Sequence, residues 1–168
     1  MSAGTNGEHV LRPDAGEFRQ VLGQFATGVT IITAMDGGEP VGVAANSFTS
    51  VSIDPPLVLF CVGRSSSTWP RIERARKFAV NILGDHQEEL SGLFATKGAD
   101  RFGQTEWRVG VGGSPVLHDT LAYLDCEFWN EYDGGDHIIV VGRVLDLGLQ
   151  REGAPLVFFR GKYGRLAD

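Results

Sequence analysis

Apolar positions change period within the first fifty residues of this chain. Phe18, Val21, Leu22 and Phe25 fall at i, i+3, i+4 and i+7, the spacing of one helix face. Asp14 and Glu17 stand at the separation of a capping box ahead of them. From Val29 to Met35 the pattern becomes a β-branched run, VTIITAM, which reads as a strand. Asp36-Gly37-Gly38-Glu39 then predicts a turn and Pro40 to Ala45 a returning strand, so this segment is a hairpin.

The rest of the chain repeats the strand pattern with brief helical interruptions. Asp54-Pro55-Pro56 punctuates the chain before Leu57 to Val62, an apolar strand. A polar loop, Gly63 to Thr68, leads to a short helix with Thr68 as its cap and Pro70 in its first turn. Phe78 to Leu83 is strand-like. Asp85 with Glu88 has capping-box spacing, and Leu90, Leu93 and Phe94 give the stripe of a helix ending near Ala95. Leu121 to Trp129, a Gly134-Gly135 turn, His137 to Leu147 and Leu156 to Phe159 add further strands. At least six strands joined by short turns, with two or three short helices, predict a mainly β fold with peripheral helices. An antiparallel barrel fits this order better than βαβ units.

Length and composition narrow the class. A chain of 168 residues supports one buried core, so a single domain over residues 13–168 is expected, behind a flexible arm at 1–12. The 23 scattered glycines imply tight turns and close backbone approach to a ligand. A formal net charge of −6 argues against a nucleic-acid partner. Cys61 and Cys126 lie in apolar runs without CxxC spacing and read as small buried side chains of a reducing compartment. The N-terminus has no apolar signal region and no window is long enough to span a bilayer, so a cytoplasmic protein is expected.

Three segments carry candidate chemistry. Arg64-Ser65-Ser66-Ser67-Thr68 offers a guanidinium and hydroxyls at a helix start, which suits a phosphate and equally suits an ordinary capped loop. Ala44-Ala45-Asn46-Ser47 ends a strand with small residues, where a flat heterocycle can approach the backbone; a plain polar loop fits too. In DGGDHIIVVG, residues 133–142, His137 stands at the mouth of an apolar strand, either as a hairpin shoulder or at the rim of a pocket. The four histidines are well separated and no metal set is expected. No GxxxxGK[ST], GxGxxG or GxSxG element is present.

Read in order, four segments resemble the flavin reductase-like, FMN-binding split-barrel family. They are Phe18 to Thr33, Ala45 to Val58, Phe78 to Leu83 and Gly135 to Gly142, and the resemblance covers residues 16–165. It implies an antiparallel Greek-key split β-barrel, assembled as a homodimer, that uses NADH (or NADPH) to reduce FMN or FAD. The reduced flavin would diffuse to a partner flavin-dependent monooxygenase, a hydroxylase or halogenase. By the same resemblance Val29, Thr30, Ala45, Asn46 and Ser47 lie beside the isoalloxazine. Ser52, Cys61, Arg64, Ser66, Ser67 and Thr68 line the ribityl–phosphate end, and Ser91 and Phe94 approach from the following helix. His137 takes the position near the nicotinamide, with Arg160, Gly161 and Tyr163 closing that side. A flavin-holding barrel without turnover, serving as carrier, sensor or store, is the alternative.

Overall fold

Twelve strands and three α-helices organise residues 12–166, the part of the chain that the computed structural model describes. The arm expected at 1–12 lies outside that range except for Arg12. The chain runs from α1 (Ala15–Leu22) through β1 (Thr27–Gly28) into the hairpin β2 (Thr30–Asp36) and β3 (Glu39–Ala45). Next come β4 (Thr49–Ser52), β5 (Leu57–Gly63), α2 (Trp69–Ala75) and β6 (Lys77–Ile82). A 3-10 turn at Asp85–Gln87 leads into α3 (Glu88–Ala95). The short strands β7 (Trp107–Val109) and β8 (Pro115–Leu117) precede the long hairpin β9 (Ala122–Gly134) and β10 (His137–Leu149). β11 (Val157–Phe159) and β12 (Lys162–Gly164) follow.

Seven strands pair antiparallel in the order β3-β2-β6-β9-β10-β5-β4, and the non-consecutive neighbours supply Greek-key crossovers. β1-β11-β12 and β7-β8 are small separate sheets. The edge strands β3 and β4 do not pair with each other, so the barrel is split along β3. An edge strand leaves every second N–H and C=O unpaired, and here those groups border the split.

Continuous apolar runs arise because the central strands are buried on both faces. Ile32, Ala34, Phe60, Phe78, Val80 and Val140 fill the barrel, with Trp69 and Ile72 of α2 plugging one end. Ile31, Leu83, Leu117 and Leu156 pack on the other face of the sheet under Phe94 of α3. Asn81, fully buried, ties the second layer to the sheet. Its Nδ2 donates to Ile31 O and Thr33 Oγ1, each at 3.0 Å, and its Oδ1 accepts from Leu117 N at 2.8 Å.

Several local expectations change in detail. Asp14 Oδ1 caps α1 by accepting from Gly16 N and Glu17 N, and no return bond comes from Glu17. The stripe Phe18, Val21, Leu22, Phe25 is exposed, because α1 packs against no core. Thr68 occupies the cap position of α2, yet Ser66 Oγ accepts from Thr68 N and Trp69 N. The hydroxyl nearer the first free amides wins. Ahead of α3 the reciprocal pair is Gly84 with Gln87, whose Oε1 accepts from Gly84 N at 3.0 Å, and not Asp85 with Glu88. The β9–β10 loop is Gly135-Asp136, since His137 pairs with Gly134. Cys126 is buried, whereas Cys61 is only half-buried. β1, β4, β7, β8 and β12 are too short for a period to announce them.

Asp125 of β9 is a buried carboxylate away from the split. Its Oδ2 accepts from Gly112 N at 2.6 Å, and Oδ1 stands without a well-directed partner beside Ser114, whose Oγ is also unpaired. Burial pushes its pKa above the ordinary 3.8, against the opposing pull of the Gly112 amide and the Ser114 hydroxyl. The folded state therefore holds this proton more tightly, and stability from this group falls as pH rises from 3.8 toward the raised value. Asp125→Asn keeps an acceptor for Gly112 and adds a donor toward Ser114. Urea titrations over a pH series should show that the variant lacks this loss; parallel pH profiles for the two proteins would exclude the effect.

Candidate active site

The split along β3 opens into hollows on both sides of its free end. One, of about 230 Å³, is walled by Val43 to Ser47, by Phe60 to Gly63 of β5, and by Ser66 and His137. A smaller one of about 160 Å³ lies outside the strand end between Val29, Ala44 to Asn46, Ser91, Phe158 and Tyr163. Along β3 in the other direction, a hollow of about 430 Å³ takes in Gly42, Ser67, Thr68, Arg71 and Arg101. Gly42 to Asn46 is four residue steps, about 13 Å of extended chain, so ring, polyol and phosphate can lie in line.

The end of β3 is fastened by two hydroxyls, one on the loop after it and one on β2. Ser47 Oγ accepts from Cys61 N at 3.0 Å and donates to Cys61 O at 2.9 Å, stapling the loop after β3 onto β5. Thr30 Oγ1 donates to Ala45 O at 2.7 Å, so this hydroxyl is used within the sheet. Ala44 and Ala45 leave the floor flat. Ser91 Oγ and Tyr163 Oη are hydrogen-bonded at 2.8 Å at the outer hollow, where Phe158 meets Tyr163 edge to face.

His137 stands where the barrel mouth meets the 63–66 loop. It follows the two-residue turn Gly135-Asp136, in which Gly135 has φ +78, a conformation that favours glycine. Its Nδ1 pairs with Asp136 Oδ1 at 2.7 Å, and that hydrogen bond holds the Asp136 carboxyl below its usual range. Its Nε2 is turned toward Gly63. Arg64, on the same rim, is occupied. Its Nη2 donates to Asp133 Oδ1 at 2.6 Å and its Nε to Gly135 O at 2.9 Å. Arg64 thus braces the His137 turn.

Arg101 is the cation that the sequence reading missed. Its Nη1 donates to Gly42 O at 2.6 Å and Thr68 Oγ1 at 2.9 Å, its Nη2 donates to Thr96 O at 2.9 Å, and its Nε is buried without a partner. Every acceptor is neutral, and burial alone lowers the guanidinium's pKa. A half-buried positive charge without a counter-ion is costly unless an anion joins it. Nothing local marks Arg101, since its set of neutral acceptors exists only in the folded chain.

Most of the expected site residues converge on this groove. Val29, Ala45, Asn46, Ser47, Cys61, Ser66, Ser67, Thr68, Ser91, Tyr163 and His137 border one of the three hollows. Arg160 and Gly161 lie on an adjoining groove beyond Asn46 and Ser47. Thr30 and Phe94 stand buried behind the walls, Phe94 in contact range of Gly42, and Arg64 lies exposed on the rim, turned to Asp133. Ser52 is not brought near. It pairs with Leu57, four residues from Cys61 along β5. Among the described residues no cluster of three or more His, Cys, Asp or Glu is placed to hold a metal, and no helix is long and apolar enough to cross a membrane.

A split barrel whose opening presents a flat apolar floor, an uncompensated arginine and a rim histidine defines a site for a phosphorylated heterocycle. Residues 22–167 match the flavin reductase like domain, and the chain belongs to that family. It is 47% identical over 150 residues to the reductase subunit HsaB of a flavin-dependent monooxygenase from Rhodococcus jostii, covering 89% of this chain and 77% of that protein. Nitrilotriacetate monooxygenase component B from Mycobacterium thermoresistibile superposes with a TM-score of 0.88 at 45% identity, covering 90% and 86% of the two chains. The NADH:FAD oxidoreductase SgcE6 from Streptomyces globisporus, solved with NAD and FAD fragments, superposes with a TM-score of 0.86 at 39% identity over 92% and 93%.

Proposed function

We propose that this chain is the flavin reductase component of a two-component monooxygenase, taking hydride from NADH and releasing reduced FMN or FAD to a partner oxygenase. The single observation that carries the reading is the groove along β3, with Arg101 at one end, the Ala44–Asn46 floor at the other and His137 beside it. The residues fit a flavin: the half-buried guanidinium has only neutral acceptors, which leaves room for the anion that a flavin phosphate supplies, and the floor suits a flat ring. The relatives named as a monooxygenase reductase subunit and as an NADH:FAD oxidoreductase support the same assignment.

When bound, flavin and nicotinamide carry the hydride chemistry themselves. The protein's work is binding and orientation. Arg101, with Ser67 and Thr68, anchors the phosphate. Ser47 and Thr30 keep the floor rigid by fastening β3 to β5 and β2. His137, oriented by Asp136, presents Nε2 to the nicotinamide side. No general base is required for the transfer.

The homodimer belongs to this reading. Val51, Ile53, Trp129, Tyr132, Leu145 and Leu147 are exposed on β4, β9 and β10 and on the turn after β4, an apolar surface that suits a second copy. So does a cytoplasmic location, in keeping with two free thiols.

The deciding experiment is a cofactor matrix, FMN or FAD against NADH or NADPH, followed by nicotinamide absorbance. Oxidation of NADH on adding flavin supports the reading; a flavin-bound protein that NADH never bleaches overturns it in favour of a carrier or store. His137→Ala is expected to lower kcat/KM for NADH about tenfold, one lost hydrogen bond near 1.4 kcal/mol, with the fold intact because the side chain is exposed. Unaltered steady-state kinetics would remove His137 from the mechanism.

A further inference from the structure

His137 opens a strand that is paired on both sides, with Gly134 of β9 and with Gly63 of β5. Its half-exposed ring is held by one bond, from Nδ1 to Asp136, whose own side chain is almost wholly in water. A single exposed hydrogen bond is too weak to fix an imidazole at a hairpin tip. The turn is fixed instead from the neighbouring strand. Arg64, which follows Gly63, grips it at three points. Its backbone N donates to Asp136 O at 3.0 Å, its Nε to Gly135 O at 2.9 Å and its Nη2 to Asp133 Oδ1 at 2.6 Å. Asp133 Oδ1 also accepts from Gly135 N at 3.1 Å, which closes the turn on itself. Arg64 therefore reaches from the end of β5 across the start of β10 to β9. Its hydrogen bond holds the Asp133 carboxyl below the ordinary 3.8, so the pair stays ionised at neutral pH.

We infer that Arg64 is a positioning residue for hydride transfer: with Asp133 it clamps the turn at 133–136 and so sets where His137 stands at the barrel mouth, and it does not hold the flavin phosphate. Magnitudes separate this role from a stabilising one. The side chains of Arg64 and Asp133 are 50% and 80% exposed, and an exposed ion pair adds little to the stability of a fold. Orientation counts for more, because a misplacement of about 1 Å can cost up to about 100-fold in rate. The planar fork matters as well as the charge. Nε and Nη2 go to separate acceptors, a carbonyl and a carboxylate, which the single ammonium of a lysine does not span in that geometry.

The inference rests on the hydride-transfer reading for its kinetic test, and a spectroscopic test stands apart from that reading. The ring resonances of His137 in flavin-free protein, assigned by their loss in His137→Ala, should shift or broaden in Arg64→Gln while Tm changes little. In turnover Arg64→Gln should lower kcat/KM for NADH about threefold to fivefold and change FMN binding by less than about twofold. Arg64→Lys should stay close to Arg64→Gln, since it restores the charge and not the fork. Asp133→Asn keeps an oxygen for both of its donors and should stay near wild type. In a His137→Ala background Arg64→Gln should cost nothing further, because the side chain it positions is gone. Unmoved His137 resonances, or losses that multiply in the double variant, would overturn the inference. So would a loss of FMN affinity that spares riboflavin, which returns Arg64 to the phosphate, and parallel losses of FMN binding, kinetics and Tm, which make it scaffold only. Wild-type protein that never oxidises NADH would instead overturn the reductase reading and leave the resonance test standing.

Discussion

Arg101→Gln is expected to weaken FMN binding about 10- to 100-fold, the worth of one or two charge-assisted hydrogen bonds at about 1.5–3 kcal/mol. Riboflavin, which has no phosphate, should be affected by less than about threefold, because its ring and polyol contacts stay in place. The comparison separates anchoring from collapse. Arg101 also holds Gly42 O, Thr68 Oγ1 and Thr96 O, so general loosening of the 63–68 loop would weaken both ligands alike. Arg101→Lys keeps the charge without the planar fork and should fall between wild type and Gln. Fluorescence titration of both flavins decides the matter. Equal losses for FMN and riboflavin would move Arg101 from the phosphate to the scaffold.

Asn81→Leu is expected to destabilise the fold by about 2–4 kcal/mol, since three buried partners lose their hydrogen bonds at once. Leu117 N loses its acceptor, and Ile31 O and Thr33 Oγ1 lose a donor, all at a fully buried position. The added apolar surface cannot compensate, because the groups that Asn81 served remain out of reach of water. Asn81→Asp should also destabilise, by placing a carboxylate against the carbonyl oxygen of Ile31. Denaturant unfolding with an unchanged m-value gives the number directly. A loss under about 1 kcal/mol would mean that β8 moves away from the seven-stranded sheet and its Leu117 N finds water instead.

The strand pattern and the four ordered segments carried the fold class and the family before any coordinates. The hairpin β2–β3 was legible because an apolar β-branched run and a Gly37-Gly38 turn agree, and His137 because its turn glycine and acidic neighbour are adjacent in sequence. The loop hydroxyls were legible as a group but not one by one. Ser47 and Thr30 spend their side chains on Cys61 and Ala45, and Ser66 rather than Thr68 caps α2, choices that depend on distances between segments. Which partners the arginines take was illegible for the same reason. Arg64 sits in the polar loop that invites an anion, yet Asp133, 69 residues away, neutralises it. Arg101, in an undistinguished loop, meets only the neutral acceptors Gly42 O, Thr68 Oγ1 and Thr96 O.

Periodicity, turn residues and motif order determined by themselves that this chain makes a split barrel of the flavin reductase family, since each depends on neighbours close in the chain. Which guanidinium keeps its charge, which hydroxyl stays free, and that α1 lays an apolar face along a groove in place of a core were decided only by tertiary structure. The physical reason is that charge compensation and burial belong to pairs of distant segments, and no local pattern records who meets whom.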